Sequence, residues 1–114
     1  MKDFITKDSG KRQEFETGAK RDIQDDKPRP DLISPHALLR IGGLLARGAD
    51  KYGERNWEKG MPYSRFLASA FRHLLQYAKG DRDEDHLAAV CFNIMAIIHF
   101  EELGRTDLDD IMQG

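Results

Sequence analysis

Residues 48–60 concentrate polar and aromatic side chains between two apolar stretches. This segment contains the only Trp of the chain, Trp57, directly after Asn56, and two glutamates four residues apart, Glu54 and Glu58. A loop that only connects two helices has no need of this combination, whereas a small polar ligand with an aromatic ring requires charged, amide and aromatic groups together. The segment predicts a nucleotide site, with carboxylates that hold a metal ion and an aromatic plane that holds a base.

The spacing of Glu54 and Glu58 is the first metal-binding signal. Residues four apart share a face on a helical turn, and two carboxylates on one face can bind Mg²⁺, which prefers oxygen ligands. The alternative is an exposed surface on which both glutamates form salt bridges with Arg55 and Lys59. For Trp57, the alternative to stacking on a base is that its ring caps one end of the hydrophobic core.

A second acidic group lies between Asp81 and Asp85, where four of five residues are carboxylates. Capping and the dipole of a following helix explain about two of them. The others would repel one another without a cation nearby. Asp85 and His86 lie nearest to the following helix, so they are the members of this group that we expect to contact metal or substrate.

Polar side chains also interrupt the two apolar segments after residue 62. Arg72 can bind phosphate oxygens through two parallel hydrogen bonds. His73 is either a hydrogen-bonded core residue or a functional group. Asn93 lies seven residues after His86 and therefore on the same helical stripe; its amide requires a partner, which is either another helix or a ligand. A short turn joins the two helices, so they should be antiparallel neighbours that share one cleft.

Apolar periodicity predicts three main helices. Ser34-Pro35 supplies an N-cap and a first-turn proline for a helix that ends at Gly48 or Gly53. Gly42-Gly43 inside it is costly, at about 1 kcal/mol per glycine, and predicts the close approach of another helix. A second helix begins near residues 62–64 and stops before Gly80.

The third helix follows the acidic group at Asp85 and stops at Gly104. It is apolar on all sides, so we expect it to be the central one. The predicted fold is all-α: a compact bundle of three main helices plus a short C-terminal helix over residues 106–112. A polar, extended N-terminal arm, residues 1–31, precedes the helical domain, residues 32–114. The arm should be disordered or should order only against a partner subunit or a ligand, and no strand pattern is present.

Composition excludes several classes of protein. The 114 residues suffice for one domain, and a formal net charge of −2 argues against general DNA or RNA binding. The single cysteine, Cys91, cannot form an intramolecular disulfide and is expected to be buried as a packing residue. Neither a signal peptide nor a membrane-length apolar run is present, so we expect a cytoplasmic protein that does not bind membranes.

Six blocks of sequence occur in a recognisable order and spacing. They are Gly18-Ala19-Lys20, Lys27-Pro28-Arg29-Pro30-Asp31-Leu32, Gly48-Ala49-Asp50-Lys51-Tyr52-Gly53, Asn56-Trp57-Glu58-Lys59-Gly60, Arg72-His73-Leu74, and Glu84-Asp85-His86-Leu87-Ala88-Ala89 with Asn93. Through these blocks the chain from about Gly18 to Glu102 resembles the phage dATP/dGTP diphosphohydrolase domain family. That family is compared with the all-α MazG-like nucleotide pyrophosphohydrolases.

The resemblance implies a homo-oligomer that hydrolyses purine deoxynucleoside triphosphates to the monophosphate and pyrophosphate, with Mg²⁺ or Mn²⁺. A phage-encoded chain of this kind would act in the host cytoplasm. The substrate-binding residues that the resemblance implies are Lys20, Lys27, Arg29, Lys51, Tyr52, Asn56, Trp57, Arg72 and Asn93. The catalytic residues are His73, Asp85 and His86. The metal ligands are Glu54, Glu58, Glu84 and Asp85.

One feature departs from the wider MazG-like group, which carries its metals on an EExxE helix followed by an ExxD helix. Neither string occurs here. Glu54, Glu58 and the group from Asp81 to Asp85 are the acidic residues expected to replace them.

Two other functions are open from the sequence. An HD-type phosphohydrolase needs a His-Asp pair on one helix, whereas the order here is Asp85-His86. A non-catalytic helical interaction module of a phage would explain the charged arm, but it gives no role to Asn56-Trp57 or Arg72-His73. Thermal stabilisation by Mn²⁺ with dGTP would separate a metal-nucleotide site from such a module.

Overall fold

The computed structural model describes residues 5–22 and 26–111. The chain divides into two compact units, residues 1–32 and residues 33–114. The first contains a small antiparallel hairpin, in which β1 (Arg12–Glu14) pairs with β2 (Lys20–Asp22). A 3₁₀ turn, Pro30–Leu32, ends this unit. The expectation that the chain has no strand was therefore wrong.

Charged side chains hold the hairpin together in place of an apolar face. Arg12 lies 2.6 Å from a carboxylate oxygen of Asp8 and 3.0 Å from one of Asp22. The Ser9 hydroxyl donates to Asp22 at 2.6 Å. The guanidinium of Arg12, through its hydrogen bond, holds the pKa of Asp8 far below its usual value. The strands are short and largely exposed, so they lack the apolar alternation by which a strand is recognised in sequence.

The second unit begins with α1 (Pro35–Tyr52), as the sequence predicts. The side chain of Ser34 accepts a hydrogen bond from the backbone N–H of Ala37 at 3.2 Å and caps the helix. The helix ends at Gly53, whose φ of 92° favours a residue without a Cβ. A Cβ at Gly42 would meet no atom within 4 Å. The predicted close approach of another helix is thus not seen among the described residues.

Two further helices complete the bundle, α2 (Tyr63–Ala78) and α3 (His86–Glu102). Their positions confirm the sequence prediction. The member of the acidic group that caps α3 is Asp85, whose side chain accepts a hydrogen bond from the backbone N–H of Ala88 at 3.2 Å. Gly80, with φ of 105°, follows the end of α2. The tail forms a 3₁₀ turn, Thr106–Leu108, in place of the predicted short helix, whose last residue lies outside the described part.

Packing of α2 on α3 forms the core, which consists of Tyr63, Phe66, Ala96 and Phe100. The Tyr63 hydroxyl donates to the backbone carbonyl of Arg105 at 3.1 Å, so the start of α2 lies at the end of α3. α3 also packs against α1, as expected for the central helix. None of the described helices has both the length and the hydropathy of a membrane span.

Part of the apolar surface stays exposed in the single chain. On α3, Ile94 and Ile98 are 39% and 53% exposed, and on α2 Phe71 is 58% exposed. Cys91, three residues before Ile94 on the same stripe, is exposed as well. The expectation that Cys91 is buried was wrong, because α1 and α2 cover only part of the circumference of α3.

Candidate functional site

An open cleft of about 1600 Å³ in the second unit is bordered by α1, the 3₁₀ turn Asn56–Lys59, α2 and the start of α3. All predicted site residues of this unit line it. They are Lys51, Tyr52, Glu54, Asn56, Trp57, Glu58, Arg72, His73, Glu84, Asp85, His86 and Asn93. The antiparallel pairing of α2 and α3 thus brings residues from distant parts of the sequence to one surface, as the sequence predicts.

Two histidines and a carboxylate form a connected chain at the end of the cleft where α2 and α3 meet. The Nδ1 atoms of His73 and His86 are 2.9 Å apart, and Nε2 of His86 lies 3.0 Å from Oδ1 of Asp83. The His86 side chain has no exposed area, whereas that of Asp83 is largely exposed. The hydrogen bond from His86 lowers the pKa of the Asp83 carboxyl below its usual value.

Asp83, Glu84 and His86 are the group of described residues that can hold a metal ion, since one ligand atom of each lies within 4.8 Å of the others. Two ligands of one Mg²⁺ or Mn²⁺ are separated by at most roughly 4.2 Å, twice a bond of about 2.1 Å. Both carboxylates are exposed, so their side chains have room to rotate toward a shared ion. Two oxygens and one imidazole nitrogen suit Mn²⁺, and the oxygens suit Mg²⁺. The residues present therefore fit a divalent cation.

Asp85, predicted as both a catalytic residue and a metal ligand, has other partners in this structure. Its two oxygens accept hydrogen bonds from Arg40 at 3.0 and 2.5 Å. This pairing, together with the N–H of Ala88, lowers the pKa of Asp85. Asp85 thus joins α1 to the N-terminus of α3. Any role of this carboxylate toward metal stays a prediction.

Glu54 and Glu58 line the cleft but do not join the three-residue metal group. Glu58 lies 2.6 Å from Arg55, which corresponds to the surface salt bridge considered as the alternative. Glu54 is exposed and forms no ion pair with any described residue. Of the predicted metal ligands, the structure places Glu84 within the group.

Cationic side chains line the cleft without an ion-pair partner among the residues that the structure describes. They are Arg47 and Lys51 of α1, Arg65 and Arg72 of α2, and Arg82, which donates to the backbone carbonyls of Tyr77 and Asp81. Lys51 instead lies 5.2 Å from the ring centre of Tyr52. Unpaired arginines can bind phosphate oxygens through their planar donor fork. The cleft therefore presents positive charge along two helices, next to the carboxylates at its end.

Sequence reasoning included Asp83 in the acidic group without selecting it as a ligand, and it missed Arg40, Arg47 and Arg65. The arginines carry a signal that could have found them: Arg40 and Arg47 are seven residues apart on α1, as Arg65 and Arg72 are on α2. A spacing of seven repeats the same helical face after two turns. Two cations at that spacing predict one charged face on the helix, which borders either a polar ligand or solvent.

Trp57 contacts the hydrophobic core and also lines the cleft. Its ring packs edge-on against Phe92, His99 and Phe100, with centroid distances of 6.0, 4.9 and 6.1 Å, so it does extend the core. It also lines the cleft beside Asn56. The structure therefore shows the packing role, and stacking on a base stays a prediction.

Asn93 is buried, and its amide hydrogen-bonds to another helix. This is the first of the two alternatives that the sequence leaves open for Asn93. The Nδ2 group donates to the carbonyl of Ala89 at 2.8 Å and lies 3.3 Å from the hydroxyl of Ser69 on α2. Both Asn93 and Ser69 also line the cleft. A contact between Asn93 and substrate stays a prediction.

The remaining predicted substrate-binding residues belong to the first unit. Lys20 lies on β2, and Lys27 is 3.7 Å from Asp22. Arg29 makes two hydrogen bonds to Asp31, at 2.9 and 2.8 Å. Their predicted contact with phosphate is not tested by these positions.

Comparison with known protein families bears on these expectations. The family model described as dATP/dGTP diphosphohydrolase, N-terminal, matches residues 17–111. The chain belongs to this family. No curated protein and no solved structure matches the chain. Within the dATP/dGTP diphosphohydrolase N-terminal family, the matched region contains both the carboxylate-histidine group and the arginines of the cleft.

Proposed function

We propose that this chain hydrolyses purine deoxynucleoside triphosphates, such as dGTP and dATP, to the monophosphate and pyrophosphate with a divalent metal ion. The observation that carries the proposal is the composition of one cleft. Asp83, Glu84 and His86, which could together hold a divalent ion, lie at one end. Arg65 and Arg72, which have no ion-pair partner among the described residues, lie along α2. Family membership supports the substrate class.

The arginines account for binding of the triphosphate. Arg65 and Arg72 repeat on one face of α2, about 10 Å apart at 1.5 Å of rise per residue. Such a separation suits a triphosphate that lies along the helix. The planar donors of an arginine can bind two phosphate oxygens at once, and they stabilise the charge that develops on the departing pyrophosphate.

Asp83, Glu84 and His86 would hold the cation. When bound there, a divalent ion neutralises phosphate charge and lowers the pKa of a water molecule. Hydrolysis to the monophosphate and pyrophosphate adds the hydroxyl of water to the α-phosphorus and breaks the bond from this phosphorus to the bridging oxygen. The bridging oxygen leaves with the pyrophosphate, and the proton of the water is released to solvent. Asn56 and Trp57 line the same cleft and are proposed to bind the purine, the amide through its polar edge and the indole through its face.

We extend the proposal to a homo-oligomer. Helix α3 is apolar on all sides, and a helix of this kind is normally covered on all sides. In the single chain, Ile94, Ile98 and Phe71 are exposed, and none of them lines the cleft. A second copy of the chain that packs on the exposed side of α3 would bury Ile94 and Ile98 and leave the cleft open.

A pyrophosphate-release screen over the eight common nucleoside triphosphates, each with Mg²⁺ and with Mn²⁺, tests the proposed function. We expect turnover of dGTP or dATP, and loss of that turnover in Asp85→Ala, which removes the cap of α3 and the partner of Arg40. No release from any nucleotide under either metal would refute the proposal.

The second candidate function is a non-catalytic interaction module, which the exposed apolar face favours. Thermal unfolding of the chain with Mn²⁺ and dGTP separates the two. A ligand that binds only the folded state raises the melting temperature, and the shift grows with the ratio of ligand concentration to dissociation constant. An interaction module without a nucleotide site should show no shift.

A further inference from the structure

The contact between His73 and His86 constrains where hydrogens are located. A neutral imidazole carries one N–H, and two facing Nδ1 atoms 2.9 Å apart form a hydrogen bond when one of them carries the hydrogen. On the other side of His86, Nε2 faces a carboxylate oxygen of Asp83 at 3.0 Å. A carboxylate only accepts, so without a metal ion His86 Nε2 carries the hydrogen. His86 Nδ1 is then the acceptor, and His73 Nδ1 donates to it.

A metal ion at the same place requires the opposite arrangement. A histidine ligand binds metal through an unprotonated ring nitrogen, and its other nitrogen usually donates to a neighbouring acceptor. Only Nε2 of His86 faces Asp83 and can share an ion with it. The hydrogen of His86 must then be on Nδ1, where the neighbouring acceptor is Nδ1 of His73.

We propose that His73 is a positioning residue that holds His86 in the form that binds a divalent cation, and that cation binding reverses the hydrogen bond between the two rings. This inference rests on the proposed metal-dependent function. His86 has no exposed area and His73 is half-buried, so water is a poor substitute for His73 as the acceptor. A nitrogen ligand also favours Mn²⁺ over Mg²⁺, because Mg²⁺ strongly prefers oxygen.

The test is NMR of the full chain with ¹⁵N-labelled histidine, recorded without metal and then with Zn²⁺ as a diamagnetic probe. Ring nitrogens that carry hydrogen and those that do not resonate in different regions. We expect His86 Nε2 to lose its hydrogen when it binds the metal, while the hydrogen between the rings moves from His73 Nδ1 to His86 Nδ1. His73 then takes up a hydrogen from solvent at Nε2, so that both rings stay neutral. If Zn²⁺ leaves either ring in its original form, the inference is wrong.

Variants at His73 separate hydrogen bonding from packing. His73→Asn retains an acceptor oxygen near the position of Nδ1 and should bind Zn²⁺ with close to wild-type affinity. His73→Leu retains bulk but no acceptor and should bind about 10- to 100-fold more weakly, as for other lost partners of metal ligands. His36→Leu, which changes the exposed histidine at the start of α1, is the matched control and should have no effect.

The same two variants show which result would contradict the inference. If His73 only fills space, His73→Leu should bind Zn²⁺ as the wild type does, and His73→Asn should bind it more weakly. Pyrophosphate release by the wild type is measured separately. A protein that turns over dGTP without the hydrogen-bond reversal retains its proposed function and loses this inference. A protein that shows the reversal without turnover retains the role of His73 and loses the proposed function.

Discussion

Arg72 is an exposed cation on the cleft face of α2, and it forms no ion pair among the residues in the described part of the chain. If it binds phosphate, Arg72→Ala should lower kcat/KM by about 10²- to 10³-fold, the usual cost of one lost transition-state donor. Arg72→Lys retains the charge but not the planar donor fork, so it should recover activity only in part. Steady-state pyrophosphate release with dGTP and Mn²⁺ measures both variants.

The control for this prediction is Lys59→Ala. Lys59 is exposed on the turn that borders the cleft, yet its side chain does not line it. The substitution removes the same charge, so a general electrostatic effect would lower activity here as well. Equal losses in the two alanine variants would contradict a specific role for Arg72. Circular dichroism should show unchanged helix content in both.

Trp57 combines core packing with a position beside the cleft, so the choice of substitution matters. Trp57→Ala should lower the free energy of unfolding by about 2–3 kcal/mol, somewhat less than for a fully buried ring. Trp57→Leu retains apolar volume without an aromatic plane. If the indole stacks on the purine, the Leu variant should raise KM for dGTP more than it lowers kcat. An unchanged KM in a folded Trp57→Leu protein would leave Trp57 as a core residue only.

At the scale of elements, Asp85 fastens the N-terminus of α3 to α1. Its pKa is lowered in the folded chain, mainly by Arg40. A carboxylate of this kind stabilises the fold above its unfolded pKa, about 3.9, and this contribution is lost as pH falls through the lower folded value. Asp85→Asn keeps a capping oxygen but not the charge, so it should be less stable than wild type at pH 7, and the difference should diminish below about pH 4.

Urea unfolding at pH 7 and pH 3 measures this difference. Asp85→Ala also loses the cap and should lose about 1 kcal/mol more than the Asn variant at both pH values. Asp50→Asn is the control, because Asp50 is an exposed carboxylate of α1 without an ion pair among the described residues. A wild-type advantage over Asp85→Asn that persists unchanged at pH 3 would contradict the role of the ion pair.

The elements also show what sequence can and cannot reveal. Ser34, Gly53 and Asp85 are local signals, and the helices begin and end at them because capping depends on neighbouring residues alone. The hairpin escaped detection because its stability comes from pairs such as Arg12 with Asp22, ten residues apart and without periodicity. The cleft was predictable because a short turn fixes α2 against α3.

The metal group was only partly predictable for a geometric reason. The sequence favours Asp85 as a metal ligand, but this carboxylate caps α3 and pairs with Arg40. Asp83, two residues earlier, contacts His86 instead. Which member of an acidic run contacts His86 depends on the conformation of the turn before α3. Arg40 lies 45 residues from Asp85 in the chain, so no local sequence pattern predicts this ion pair.

At the scale of the whole molecule, the exposed apolar face predicts association. The mass from analytical ultracentrifugation should be at least twice the 13.1 kDa of one chain. Ile94→Glu with Ile98→Glu should reduce it to that of a single chain, because burying two carboxylates against an apolar partner is strongly unfavourable. Leu103→Glu, beyond the end of α3, is the control and should leave the mass unchanged. A wild type that sediments as a monomer would contradict the prediction.

Cys91 gives this molecule a built-in reporter. It is the only thiol in the sequence, and it lies on the same stripe of α3 as Ile94 and Ile98. A maleimide dye therefore attaches at one defined place, without engineered cysteines. Its reaction rate at increasing protein dilution follows the uncovering of that stripe, and so titrates self-association with wild-type protein.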